Sequence, residues 1–290
     1  MSYKIAIASG KGGTGKTTVA VNLFKYLNEI GTNTLLVDCD VEEPNDFIFF
    51  DFDTPPQTEI VNQLVPKIDT SKCTFCRKCS DYCIFNAISI IPSVQHAEVT
   101  TSLCHSCGAC LVACEFGAIT EYSQEIGTIS RYNTSFGSKL IEGRLKVGSP
   151  MQTLMVKAVK KAAENNCDIT LFDSPPGTSC PVVETVSDAN YVVLVTEPTP
   201  FGLHDFKLMV TLLREMNKPF DVVVNKAGSG NSHIYQYIQE ENIELLGNIP
   251  FLKQYAQNYA HGKIFENIPD EIALSYKTIA GILIEKMKNR

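Results

Sequence analysis

The stretch "YKIAIASGKGGTGKTT" (residues 3–18) decides the fold. Its first part, "YKIAIAS" (3–9), is apolar enough to be a buried β-strand. "GKGGTGKTT" (10–18) follows, and "TTVAVNLFKYLNEIG" (17–31) reads as a helix. A strand, a glycine-rich loop and a helix N-terminus in that order make an anion cradle. Successive backbone N–H groups and the positive end of the helix face the phosphates. Gly10, Gly12, Gly13 and Gly15 let the backbone approach without Cβ clashes. In this pattern Lys16 reaches the β- and γ-phosphates and the Thr17 hydroxyl binds Mg²⁺. The nucleotide-binding set is Gly12, Gly13, Thr14, Gly15, Lys16, Thr17 and Thr18.

Further along, "TNTLLVDCD" (32–40) and "CDITLFDSPPGTS" (167–179) are apolar strands ending in acids. Strand and helix then alternate: strand 191–198, helix near 202–216, strand 220–227, helix near 231–241, strand 243–251. That rhythm predicts an α/β fold, a doubly wound and mostly parallel sheet covered on both faces. Ligands of such sheets bind beyond the strand C-termini.

The early lysine adds a family signature. "KGGTGKTT", with Lys11, resembles the deviant phosphate loop of the MinD/ParA/nitrogenase-iron-protein group of P-loop ATPases. The resemblance implies slow, switch-type ATP hydrolysis and a nucleotide-sandwich dimer, either a homodimer or a heterodimer with a related ATPase. In it Lys11 reaches the partner's phosphates. It also places Asp38 and Asp40 in a first switch, with Asp40 orienting the attacking water and Asp38 near Mg²⁺, or the reverse. Asp173 becomes the acid on the Mg²⁺ shell, with Gly177 near the γ-phosphate. Asn225 matches the adenine-reading asparagine, and Pro250 lines the base pocket. The Pro-Pro-Gly after Asp173 resembles Mrp-type iron–sulfur carrier ATPases.

Eight of the eleven cysteines fall in two runs, "CTFCRKCSDYC" (73–83) and "CHSCGACLVAC" (104–114). Each is C-x2-C-x2-C-x3-C, and the second repeats the first at an offset of 31 residues, with Phe85/Phe116, Ala87/Ala118 and Ile88/Ile119 also matching. This duplication resembles a bacterial two-cluster ferredoxin. There three cysteines of one run and the fourth of the other hold each [4Fe–4S] cluster. The resemblance assigns Cys73, Cys76, Cys79 and Cys114 to one cluster, and Cys104, Cys107, Cys110 and Cys83 to the other. The usual proline after the fourth cysteine is replaced by Ile84 and Glu115. Two zinc sites are the rival reading, though zinc pairs usually stand well apart. The expected organisation is a discontinuous ATPase domain (1–66 and 122–290) with a small α+β ferredoxin-type insert (67–121).

Cys39 and Cys167 read as packing residues. Cys180, in the second switch, is a structural or interfacial thiol, with a redox role as the alternative. Net charge is −7, which leaves no overall basic footprint for nucleic acid. No apolar run is long enough to span a membrane, and cysteines in clusters suit a reducing, cytoplasmic compartment. The tail "EIALSYKTIAGILIEKMKNR" (271–290) is an amphipathic helix, read as a cover on the sheet in preference to a membrane anchor. The five histidines show no metal-ligand spacing. Three functions share these parts: an ATP-gated electron carrier with an unidentified redox partner, an iron–sulfur assembly or carrier ATPase, and a redox-sensing positioning ATPase. The first is ranked highest.

Overall fold

The structure is a computed structural model that describes residues 2–135, 137–163 and 166–289. In chain order it contains β1 (Tyr3–Ala8), α1 (Lys16–Glu29), β2 (Thr34–Asp38), β3 (Gln57–Ile68), α2 (Lys78–Asp81), β4 (Ile88–Ile91), β5 (His96–Val99), α3 (Ala109–Ala113), β6 (Ile119–Asn133) and β7 (Lys139–Leu145). It continues with α4 (Gln152–Ala162), β8 (Ile169–Asp173), α5 (Cys180–Ser187), β9 (Tyr191–Thr196), α6 (Pro200–Glu215), β10 (Phe220–Ala227), α7 (His233–Glu240), β11 (Leu245–Pro250), α8 (Lys253–Ala260) and α9 (Asp270–Lys288).

Nine strands form one sheet in the order β11-β10-β9-β1-β8-β2-β7-β6-β3. From β11 across to β7 every neighbouring pair is parallel. β2, β8 and β9 are buried along their whole length, which is why their sequences are continuous apolar runs without alternation. β6 and β7 are joined by a connection too short for a parallel crossover, so they form a hairpin, closed by Thr134 N–H donating to the Ser138 carbonyl at 2.8 Å.

The chain divides into two compact units. The larger comprises 1–58, 129–144 and 156–290; the smaller comprises 59–128 and 145–155. The segment expected as an insert, 67–121, lies inside the smaller unit. That unit is wider because β3 and β6 are long strands, and because it also takes in 145–155.

In the larger unit, the phosphate-loop helix α1 and the tail helix α9 share one core. Val19, Leu23, Phe24 and Leu27 meet Ile272, Tyr276, Ile279 and Leu283, and Tyr26 stacks on Tyr276 with ring centroids 6.0 Å apart. Met287 packs against the same cluster, and Lys286 bonds Asp221 and Glu244, each at 2.8 Å. The tail helix is therefore a packed cover, with Lys286 engaged by the neighbouring acids. Among the described residues, no helix is long and apolar enough to cross a membrane.

In the smaller unit, the duplication is written in the backbone. Left-handed φ angles recur at the 31-residue offset: Phe75 (55°) and Ser106 (53°), Arg77 (68°) and Gly108 (71°), Asn86 (53°) and Gly117 (59°). The helices α2 and α3 start directly after the second pair. Two hydrogen bonds cross between the repeats. Asp69 N–H donates to the Ala118 carbonyl, and Thr100 N–H donates to the Ala87 carbonyl, each at 2.8 Å. These are the same bond with the repeats exchanged. β4 and β5 pair as a short antiparallel hairpin. Cys79, Ile88, Ile90, Cys110 and Ile119 make a small apolar core.

Candidate functional site

The first site lies in the larger unit, beyond the C-terminal ends of the central strands. Gly13 (φ 78°) and Gly15 (φ 88°) turn the loop into α1. A Cβ on Gly15 would come within 2.0 Å of the Asn225 side-chain nitrogen, so only glycine fits there. A cavity of about 440 Å³ opens over this loop. Lys11, Gly12, Gly13, Gly15, Lys16, Thr17 and Thr18 line one wall. Asp40, Asn225 and Pro250 line it too, with Phe251, Tyr255 and Tyr259 supplying apolar surface. Thr14 is buried and contributes its carbonyl, which accepts from the Asn225 amide at 2.8 Å.

Beneath the loop is a charged knot. Lys16 Nζ lies 2.6 Å from Asp173 Oδ1, and the Thr17 hydroxyl donates to Asp173 Oδ2 at 2.8 Å. Asp38 accepts backbone N–H bonds from Asp40 (3.0 Å), Asn45 (2.8 Å) and Asp46 (3.1 Å), which folds the acidic loop over the strand end. Asp38, Asp46 and Asp173 each bring a carboxylate oxygen within 4.8 Å of the others. Both Asp46 oxygens are buried and unpartnered among the described residues. Oxygen donors this close, with two left unsatisfied, fit a hard cation such as Mg²⁺.

The electrostatics follow from that crowding. Burial and then the Asp173 charge push Asp38 up to about 8, against the Asp46 N–H and Lys16. Burial likewise lifts Asp46 well above the carboxylate range, helped by Asp38 and Asp173. Asp40, on the cavity wall, is raised by burial to about 6, with Lys16 pulling the other way. Burial pulls the Lys16 ammonium down, but Asp173, Asp40 and Asp38 more than offset it and leave it raised.

The second candidate site lies in the smaller unit and is double. One cavity is lined by Cys73, Cys76, Cys79 and Cys114; another is lined by Cys83, Cys104, Cys107 and Cys110. Each lining takes three cysteines from one repeat and the fourth from the other. Among the described residues, no three cysteine sulfurs lie within 4.8 Å of one another. A single tetrahedral zinc would draw its sulfurs to about 3.8 Å apart, given Zn–S bonds of about 2.3 Å. Four thiols per lining match the donor count of a [4Fe–4S] cluster. Backbone N–H groups of Phe75, Ala87 and Ser106 donate to the sulfurs of Cys73, Cys83 and Cys104 at 3.4, 3.3 and 3.5 Å. Where proline was expected, Glu115 pairs with Lys78 at 2.6 Å and Ile84 is exposed.

The remaining cysteines line neither cysteine cavity. Cys39 is buried, and burial raises its thiol. Cys167 sits near the hydroxyls of Ser2 and Thr170. Cys180 is exposed at the first position of α5. Sequence reasoning missed Asp46, Glu197 and Lys226. Glu197 Oε1 lies 2.6 Å from Lys11, and Glu197 Oε2 lies 2.8 Å from Lys226. The signal for Glu197 was present, as the acid ending the apolar run "YVVLVTEP" (191–198).

A parallel sheet with a glycine-rich phosphate cradle at its C-terminal edge, a buried lysine and an acidic knot define a P-loop nucleotide-binding protein. Residues 5–265 match the CobQ/CobB/MinD/ParA nucleotide-binding domain, and the chain belongs to that family. An uncharacterised Methanocaldococcus jannaschii protein, MJ0579, is 31% identical over 265 residues, covering 90% of each chain. An Aquifex aeolicus iron–sulfur cluster carrier protein is 23% identical over 307 residues, covering 100% of this chain and 69% of its own. The crystal structure of the Pyrococcus furiosus cell division ATPase MinD superposes with a TM-score of 0.62 at 19% identity, covering 99% of this chain and 100% of that one.

Proposed function

We propose that the chain is an ATP-binding and ATP-hydrolysing switch that holds two [4Fe–4S] clusters in a ferredoxin-type insert and gates electron transfer to a protein partner. The observation that carries the reading is the pair of four-cysteine cavities, each built from both repeats. Thiolates in this arrangement hold cubane clusters. When bound, such clusters supply one-electron transfer at a potential set by charge, hydrogen bonds to sulfur and exposure. The chain contributes the three N–H···S contacts and leaves Cys76 and Cys107 on the exposed side.

At the nucleotide site, Lys16 and the loop N–H groups hold the phosphates. Thr17 and Asp173, with Asp38 and Asp46 beside them, would hold Mg²⁺, which neutralises phosphate charge. Asp40, facing the cavity and poised at about 6, orients the attacking water and accepts its proton. Asn225 and Pro250 border the base. Lys11 acts in a dimer, on the nucleotide of the partner.

The test is anaerobic reconstitution, iron analysis, and an EPR-monitored redox titration with and without ATP. Two clusters require about eight irons per chain. A nucleotide-dependent potential supports gating. An unchanged potential in a protein that hydrolyses ATP counts against gating by potential, and zinc in place of iron sinks the cluster assignment. A second reading, an iron–sulfur cluster carrier, is favoured by the carrier relative that aligns with the whole of this chain. Transfer of the cluster to an apo-acceptor on ATP addition separates it from the first.

A further inference from the structure

Lys11 is the residue the dimer needs, and in the single chain it is already engaged. Its ammonium lies 2.6 Å from Glu197 Oε1, and the Glu197 side chain is only 9% exposed. Lys226 Nζ sits 2.8 Å from Glu197 Oε2 and also donates to the Gly13 carbonyl of the phosphate loop at 2.6 Å. One largely buried acid therefore holds two lysines, and both lysines line the nucleotide cavity.

The acid is rigidly placed. Thr199 donates its backbone N–H to the Glu197 carbonyl at 2.8 Å, and its hydroxyl donates to Glu197 Oε1 at 3.2 Å. A Cβ on Gly202 would meet the same carbonyl at 2.4 Å, so the turn into α6 closes tightly over it. Burial alone would raise the Glu197 carboxyl, but hydrogen bonds from Lys11 and Lys226 outweigh it and leave the group below its ordinary value.

We propose that Glu197 is a latch for Lys11, holding it within its own chain until a second copy docks, then releasing it to the nucleotide of that copy while Lys226 stays behind. This rests on the reading of the chain as a nucleotide-driven dimer. The second lysine is what makes release possible. A buried carboxylate stripped of its only cation is strongly unfavourable, but Glu197 keeps Lys226 when Lys11 leaves. The exchange swaps one anionic partner for another, so the extra charge of a triphosphate over a diphosphate tips it. Glu197 is a positioning residue, acting through Lys11.

The full-length protein is compared with Glu197→Gln, Glu197→Asp, Lys11→Ala and the double variant Glu197→Gln/Lys11→Ala. Dimerisation with ATP and Mg²⁺ is followed by sedimentation, and hydrolysis is measured across protein concentrations. Glu197→Gln is expected to lower the half-maximal protein concentration about tenfold, since two latches open per dimer. Glu197→Asp, with a shorter reach, shifts the same way by less, and it decides the matter if the glutamine variant does not fold. Lys11→Ala and the double variant fail to dimerise alike. A wild type that dimerises while Glu197→Gln needs the same or a higher concentration overturns the latch alone. If neither wild type nor any variant dimerises with ATP, the dimer reading falls and takes the latch with it.

Discussion

Around the phosphate loop, several side chains of the site satisfy one another: Lys16 holds Asp173, Thr17 bonds its second oxygen, and Glu197 holds Lys11 and Lys226. Around the cysteine cavities they do not. No three sulfurs approach within 4.8 Å among the described residues, and left-handed backbone turns hold them in place. One site keeps its shape through opposed charges, the other through main-chain geometry. A charge change should therefore dominate in the first, and a ligand or backbone change in the second.

The largest expected effect is at the charged knot. Lys16→Met removes its buried cation and the donor to the phosphates, and should cut ATP hydrolysis by about 10²–10³-fold. A steady-state assay showing less than about a tenfold loss would detach Lys16 from the chemistry. At the cysteines, pairing decides the outcome. Cys79→Ala/Cys114→Ala strikes one cavity, and the reconstituted protein should keep about half its iron. Cys79→Ala/Cys83→Ala strikes both cavities from within a single repeat and should lose nearly all of it. The reverse pattern, about half the iron in Cys79→Ala/Cys83→Ala and almost none in Cys79→Ala/Cys114→Ala, would mean the runs do not exchange their fourth cysteine.

Proton linkage sharpens the contrast further. Asp38 and Asp40 are raised to about 8 and about 6 in the folded chain, against unfolded values of about 3.9. Carboxyls raised on folding contribute stability below the unfolded value and lose it as pH climbs through the folded one. Without nucleotide or Mg²⁺, this knot should become less stabilising from about pH 4 to pH 8. Asp46→Asn removes a third carboxyl that burial raises on folding, so it should flatten that slope and raise stability at pH 8 in urea unfolding. A slope unchanged by the substitution would place the pH dependence elsewhere. The smallest effect is in the backbone of the cysteine unit. Gly108 (φ 71°) and its counterpart Arg77 (φ 68°) share a left-handed turn. Gly108→Ala should cost about 1 kcal/mol, whereas Arg77→Gly should be neutral or slightly stabilising. Urea unfolding of the two variants checks the pair.

Much of this was legible from residues alone, for reasons that differ by region. The phosphate loop is local: strand, glycines and helix are contiguous, so spacing carries the geometry. The cysteine repeat declares itself through its offset, and the left-handed φ angles recur at that same offset. Asp46 was hidden because its role arises only when the acidic loop folds back onto Asp38 through three N–H bonds. Glu197 lies inside the strand read at 191–198 and was hidden because its partners Lys11 and Lys226 are distant in sequence. Tyr255 and Tyr259 reach the cavity from α8, a short helix with weak apolar patterning. The smaller unit takes in 59–128 and 145–155, since β3 and β6 continue past the cysteine segment and 145–155 is distant from it in sequence.

The exchanged pair of hydrogen bonds, Asp69 to Ala118 and Thr100 to Ala87, bears on how the smaller unit matures. Each repeat supplies the closing strand and the fourth thiol of the other, so neither half can finish a pocket alone. A fragment carrying a single repeat would leave both cavities without part of their lining. The chain must extend as far as Ile119 before the lining of one cavity is complete, and as far as Glu121 before that of the other.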